Sequence, residues 1–188
     1  NGDGASGATD GGASASTSPS GEVSVYSRED GSGTRGAFIE LFGIEEKDTN
    51  GDKVDLTTPT AAITNATSVM MTSVAGDANA IGYISLGSLN NTVKALSIDG
   101  AEATAENVKS GTYKVARPFN IVTKDGVSDV AQDFIDYIMS SDGQKVVEVN
   151  GCISVADNAG SYKASGKSGK IVIAGSSSVT PVMEKLAE

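Results

Sequence analysis

Arg28, Ser32, Gly33 and Thr34 lie close together in the stretch Ser27-Arg28-Glu29-Asp30-Gly31-Ser32-Gly33-Thr34-Arg35-Gly36. A guanidinium, two hydroxyls and a glycine backbone supply hydrogen-bond donors, a set suited to a tetrahedral oxyanion. A second run of small hydroxylated residues, Gly175-Ser176-Ser177-Ser178-Val179-Thr180-Pro181, stands near the other end. The chain has no histidine. The usual general base is therefore absent, which excludes Ser-His-Asp and Cys-His catalysis. The single cysteine, Cys152, excludes an internal disulfide and a CxxC site, and is expected to be a partly buried apolar thiol. Asp48, Asn50 and Asp52 have the spacing of calcium ligands. Lys53 stands where the turn glycine belongs and Pro59 where the bidentate glutamate belongs, so a solvated loop is the preferred reading.

Two strand–turn–helix units must position the donors. Val23-Ser24-Val25-Tyr26 is β-branched and aromatic and reads as a strand, and Phe38, Leu41 and Phe42 have the spacing of a helix over 37–43. A helix that starts just after small residues leaves its first N–H groups unpaired at the positive end of its dipole, which makes an anion site. The second unit pairs the apolar strand Lys170-Ile171-Val172-Ile173-Ala174 with a helix over 179–188 that carries Pro181 in its first turn. Two such ends facing one another across a cleft would hold one oxyanion better than either alone. The plainer alternative makes Ser32, Ser178 and Thr180 helix caps. Arg35 is expected on the exterior of its helix.

Between the units the pattern predicts a strand at 61–64 and a helix over 68–75 capped by Ser68 or Thr67, with Met70 in its core face. A strand over 80–86 follows, in which Gly82 signals close backbone approach. Further strands are expected at 93–98, 116–123 and 152–155, and helices at 104–109, 128–140 and 144–149, the 128–140 helix with a stripe of Val130, Phe134, Ile135 and Ile138. Arg117 suits either an anion or, more commonly, an ion pair. Residues 1–21 are mostly small and polar and read as a disordered linker. Residues 156–169 read as a flexible linker too polar to pack.

With 188 residues, 38% of them apolar, 23 Gly and no Trp, the chain reads as a soluble, loop-rich protein. It holds no apolar run of about 18 residues that could span a membrane, and its opening residues, Asn1-Gly2-Asp3-Gly4, have no signal-peptide pattern. The net charge of −10 argues against nucleic acid. It does not argue against a small anion, which answers to local dipoles and one or two arginines.

These motifs together resemble the phosphate-binding protein of the bacterial phosphate ABC transporter. The resemblance rests on Ser27 to Gly36, on Ala80-Ile81-Gly82-Tyr83-Ile84-Ser85-Leu86, on Val115 to Lys124, and on Phe134-Ile135-Asp136-Tyr137 leading to Gly143-Gln144. Gly175 to Pro181 is similar to that family's first strand and helix. The late part of the family's usual order comes first here, as in a circular permutation, and segments that lie between the two motifs in the family are absent. The implied fold is α/β, with periplasmic-binding-protein-like (type II) lobes, permuted and incomplete. A phosphate-motif lobe at 22–92 would be joined by a second-lobe segment at 93–155 and, after the linker, by that lobe's first strand and helix at 170–188.

The resemblance implies a phosphate site of Arg28, Asp30, Ser32, Gly33, Thr34, Ser178, Val179 and Thr180, with no cofactor and no metal. Arg28 would make the bidentate contact, Ser32, Gly33 and Thr34 would donate hydroxyl and backbone bonds, and Ser178, Val179 and Thr180 would offer N–H groups. Asp30 would pair with Arg28 and orient it or, as a second reading, accept the proton of a hydrogen phosphate. The implied protein is a non-catalytic extracytoplasmic receptor, periplasmic or at the cell surface with or without a lipid anchor, which delivers inorganic phosphate to an ABC permease. A second chain or a further segment would complete its lobes, and the 188 residues alone are expected to bind phosphate weakly or not at all. Two alternatives remain: a phosphate-ester or nucleotide-handling enzyme using the same glycine-rich turn, although the GxxxxGK[ST] lysine is missing, and an assembly piece that pairs through an open sheet edge.

Overall fold

A computed structural model of the chain describes residues 21–156 and 158–188. The expected linker at 1–21 therefore lies almost wholly outside the described residues.

The β-branched opening run forms β1 (Ser24–Arg28), the central strand of a three-stranded parallel sheet. β4 (Ala62–Thr64) lies on one side, with Arg28 opposite Thr64, and β5 (Ala80–Ile81) lies on the other, with Ser24 opposite Ala80. The connections carry α1 (Gly33–Leu41) and α2 (Thr67–Ala75). A small antiparallel hairpin, β2 (Glu45–Lys47) with β3 (Lys53–Asp55), stands between them. Its turn uses the predicted solvated loop, where Asp48 Oδ1 accepts the N–H groups of Asn50 and Asp52.

Packing beneath the sheet explains Gly82. A Cβ there would stand 2.5 Å from Met70 Sδ and 3.0 Å from Val74 Cγ2, so any side chain would push these residues aside and glycine lets the chain just after β5 lie on α2. Met70 is almost fully buried at that contact. On α1, Phe38 stacks on Tyr83 with ring centroids 4.0 Å apart. The Tyr83 hydroxyl meets Ser27 Oγ at 2.8 Å and accepts the Arg28 N–H at 3.0 Å, which locks the end of β1 just before the turn.

The remaining regular elements of the described residues are helical and are separated by long irregular stretches. α3 (Ala105–Lys109) is capped by Thr104. α4 (Asp129–Met139) begins at its predicted cap Ser128, and α5 (Ser141–Val149) follows at once because Ser140 ends one helix and caps the next. Residues 141–143, expected to break the helix, are its first turn. Gly143 lies against the backbone of Tyr137 and Ile138, with no room for a side chain. α6 (Thr180–Leu186) packs Val182 and Leu186 against Ile138, and Phe134, Tyr137, Val146, Val147 and Cys152 surround this second core. Burial pushes the Cys152 thiol pKa up, consistent with an apolar, unreactive role.

Several expectations are corrected. The runs 93–98, 116–123, 152–155 and 170–174 form no strand, and β5 ends at Ile81. Within the first of these only Ile98 bridges, to Ala101 across an Asp99-Gly100 turn with both residues at positive φ. A strand needs a neighbour for its backbone groups, and Val122 and Val172 are 89% and 86% exposed, with no sheet beside them. The helix starts one residue earlier than expected, so that Thr67 is its first residue and Ala66, which has no side-chain acceptor, stands at the cap position. The stretch 156–169 does pack in part. Tyr162 sets its ring edge-on to Tyr137 and donates to Asp133 at 2.7 Å, and Gly169 lies against Val130. Arg117 forms an ion pair with Glu40.

Candidate functional site

β1 ends at Arg28, and the chain turns through Asp30 and Gly31, the latter at φ +79°, to enter α1. Ser32 caps that helix by accepting the Arg35 N–H at 3.3 Å. The cap leaves the Gly33 and Thr34 amides at the free start of the helix, where an N–H has no intrahelical partner.

Arg28 is only 2% exposed, although it carries a charge. Its expected partner was Asp30; the structure supplies Glu29 instead. The Glu29 carboxylate takes Nε at 2.8 Å and Nη2 at 2.9 Å in a two-pronged contact. Those hydrogen bonds hold the Glu29 carboxyl below the usual glutamate range, against a smaller opposing effect of burial. Asp30 sits at the apex of the turn with its carboxylate 98% exposed and pairs with Arg35. The sharp turn after Glu29 carries Asp30 outward, which is the physical reason for the correction. Arg35 is also not an exterior residue. At 17% exposure its guanidinium binds Asp55, Asp30 and the Arg28 carbonyl, and so ties the turn to the hairpin.

The second unit packs against the first. Thr34 Oγ1 lies 3.3 Å from the buried Ser178 Oγ, which also meets Ser176 Oγ at 3.0 Å. Arg28 Nη2 donates to Ser177 Oγ at 3.1 Å. A cleft between the units is lined by Glu29, Gly31, Ser32, Gly33, Asn65, Gly175, Ser176 and Ser177. The predicted donors Ser178 and Val179 differ from expectation, since the Ser178 N–H turns to Ser176 Oγ and the Val179 N–H to the Ser176 carbonyl. Thr180 opens α6 and is exposed.

Three residues of this cluster were not singled out as ligands in the sequence. Glu29 follows Arg28 directly, and neighbours on a strand point to opposite faces, so no pattern marks their contact. Ser177 and Thr67 meet across a sequence separation of 110 residues. For Ser177 the only signal was its place between two serines. Among the described residues no group of three or more acidic, cysteine or histidine side chains could hold a metal ion, and no helix is long and apolar enough to cross a membrane.

The chain is similar to known proteins over most of its length. The PBP superfamily domain matches residues 10–142. Phosphate-binding protein PstS 2 of Streptococcus agalactiae is 62% identical over 174 residues, 92% of this chain and 59% of that protein. The protein of the same name from Streptococcus pneumoniae is 50% identical over 94% of this chain and 60% of its own length. Among solved structures, a phosphate-binding protein of a phosphate ABC transporter from S. pneumoniae superposes with a TM-score of 0.72 at 50% identity, covering 89% of this chain and 65% of that one. A putative phosphate ABC transporter substrate-binding protein with bound phosphate from Clostridium perfringens gives a TM-score of 0.63 at 40% identity, covering 71% of this chain and 52% of that one. The chain thus spans about three fifths of the length of these two curated relatives.

Proposed function

This chain belongs to the PBP superfamily, and on that premise we propose that it forms part of a non-catalytic extracytoplasmic receptor that binds inorganic phosphate and delivers it to an ABC permease. The observation that carries the reading is the buried Arg28, set behind a cleft where the free start of α1 meets the Ser176–Ser178 turn. A buried guanidinium beside helix-start amides is a site for an oxyanion. The relatives' names, all of binding proteins, support a receptor over a phosphate-ester or nucleotide-handling enzyme.

In this reading Arg28 holds phosphate oxygens, the Gly33 and Thr34 amides and the Thr34 hydroxyl donate from α1, and Ser32 shapes the helix start. From the second unit the Ser178 hydroxyl faces Thr34, while Val179 and Thr180 form the helix start behind it. Asp30 acts on the site through Arg35, and the carboxylate that lines the cleft is that of Glu29.

The reading extends to the organisation of the chain. The phosphate-motif lobe, 22–92, is built on β1; the second lobe takes 93–155 and 170–188, and the packing of α6 on α4 and α5 supports that division. An alignment runs in one direction, so the one that spans 94% of this chain supports the same order of the two units in the pneumococcal relative. The exposed apolar runs at 116–123 and 170–174, which form no strand on their own, become strands of the second lobe only beside neighbours. Their neighbours lie in the part of the relatives' length outside the match, supplied by a further segment or a second chain.

Titration calorimetry of the natural protein that carries this sequence, with phosphate and with sulfate, tests the proposal. Saturable phosphate binding is expected, and its absence overturns the reading.

A further inference from the structure

Arg35 holds both ends of the turn that opens α1. Its backbone N–H bonds to Ser32 Oγ at 3.3 Å, and its side chain returns to the strand end, where Nη1 donates to the Arg28 carbonyl at 2.9 Å. The enclosed segment carries the Gly33 and Thr34 amides and begins where the Arg28 side chain leaves β1.

The Arg35 guanidinium is itself fixed from outside the turn. Nε donates to Asp55 Oδ2 at 2.8 Å, and Asp55 Oδ1 accepts the Thr57 N–H at 2.8 Å, which sets the plane of the carboxylate. Asp55 ends β3, and the hairpin that carries it is tied to the other half of α1, because the Ile44 N–H bonds to the Ile39 carbonyl at 2.8 Å and the Leu56 N–H to the Ile44 carbonyl at 3.0 Å. The hairpin thus grips α1 at its base and reaches the first turn through Arg35. At 17% exposure Arg35 stands between Asp55 and Asp30, so its charge is matched by two carboxylates and does not serve as a second cation for an anion. What it supplies is placement, for which a planar guanidinium with donors fixed relative to one another is suited.

We propose that Arg35 is a positioning residue of the phosphate site, and that the β2–β3 hairpin, through Asp55, is the part of the fold that holds it in place. Together they fix the β1–α1 turn so that Arg28 and the Gly33 and Thr34 amides are aimed before the ligand arrives. This rests on the phosphate reading above. Donors that are already ordered lose little freedom on binding, and affinity rises accordingly.

Titration calorimetry with inorganic phosphate, on the natural protein and on variants whose fold is checked by circular dichroism, tests it. Arg35→Met removes the fork and is expected to weaken binding by at least about tenfold, the order of one hydrogen bond to a charged group. Arg35→Lys keeps the charge without the fork and should stay at least about threefold weaker than wild type. Asp55→Asn should weaken binding by about threefold, since a neutral acceptor bonds about half as strongly as an ionised one. In the Arg35→Met background the same change should add less than about 1.5-fold, because its effect runs through Arg35. Lys53→Met breaks the Lys53–Glu45 pair of the same hairpin without touching Arg35, and should bind within about twofold of wild type. Wild-type affinity in Arg35→Met, or full recovery in Arg35→Lys, overturns the positioning role. If Arg35→Met does not fold, Asp55→Asn decides, and wild-type affinity there overturns it. An Asp55→Asn loss that persists undiminished beside Arg35→Met, or an equal loss from Lys53→Met, makes the hairpin merely structural and overturns it too. Each of these leaves the phosphate receptor standing, whereas a wild-type protein that binds no phosphate overturns both.

Discussion

The two glycine- and serine-rich turns look alike in sequence and behave differently in the fold. The first, Ser27 to Gly36, leaves the central strand of a sheet, is braced by Tyr83 below and Arg35 beside, and opens a nine-residue helix. The second, Gly175 to Pro181, follows a run with no strand partner, turns its Ser178 and Val179 amides onto Ser176, and opens a helix of seven residues. A helix start offers donors to a ligand only when neighbouring structure fixes it and its amides are not already taken. In the proposed site the first turn is therefore the platform, and the second packs against it through Ser177 and Ser178.

The sharpest way to break this comparison is Arg28→Met. It removes the proposed site's buried cation, so phosphate affinity in the natural protein should fall by at least about 100-fold, the worth of about two hydrogen bonds to a charged group. Calorimetry reads it; a loss of tenfold or less would mean that the second turn carries more of the ligand than proposed. Ser32→Ala should lower stability by about 1 kcal/mol, the ordinary worth of an N-cap, measured by urea denaturation. An equal loss from Ser176→Ala would remove the distinction between the platform and the turn packed against it.

The Glu29–Arg28 pair gives a pH test of the same platform. The Glu29 pKa is lowered in the fold, so its contribution is present above the unfolded glutamate value and is lost as pH falls through the folded one. Stability should drop on acidification through that window, and Glu29→Gln should flatten the drop. With the Glu29 side chain 36% exposed the effect is a small one. Smallest of all, Thr180→Ala at an exposed helix start should leave phosphate affinity within about twofold of wild type, as surface changes usually do. A larger change would restore the second helix as a donor in its own right.

Much of the site could be read from the chain. Gly31-Ser32-Gly33-Thr34 announced a helix start, Gly82 announced close contact and met Met70, and the stripe on α4 buried Ile138 as expected. Periodicity and turn chemistry are local, so local sequence reports them. The partner of Arg28 could not be read this way, because Glu29 and Asp30 are both acidic and only the path of the turn decides which carboxylate returns to the guanidinium. The apolar runs at 116–123 and 170–174 have strand composition and form no strand, because a ladder depends on a neighbour as well as on its own residues.

The amino-acid sequence by itself determined the chemistry available to this protein: donors for an oxyanion, no histidine, and glycines at the turn of Gly31 and the close approaches of Gly82 and Gly143. Tertiary structure alone decided the assembly of the site. Arg28, Thr67 and Ser177 share hydrogen bonds across separations of 39, 110 and 149 residues. Such contacts depend on parallel strand pairing and on the packing of one turn against another, and a hydrogen bond that requires an angle and a distance of about 3 Å leaves no trace in the order of residues.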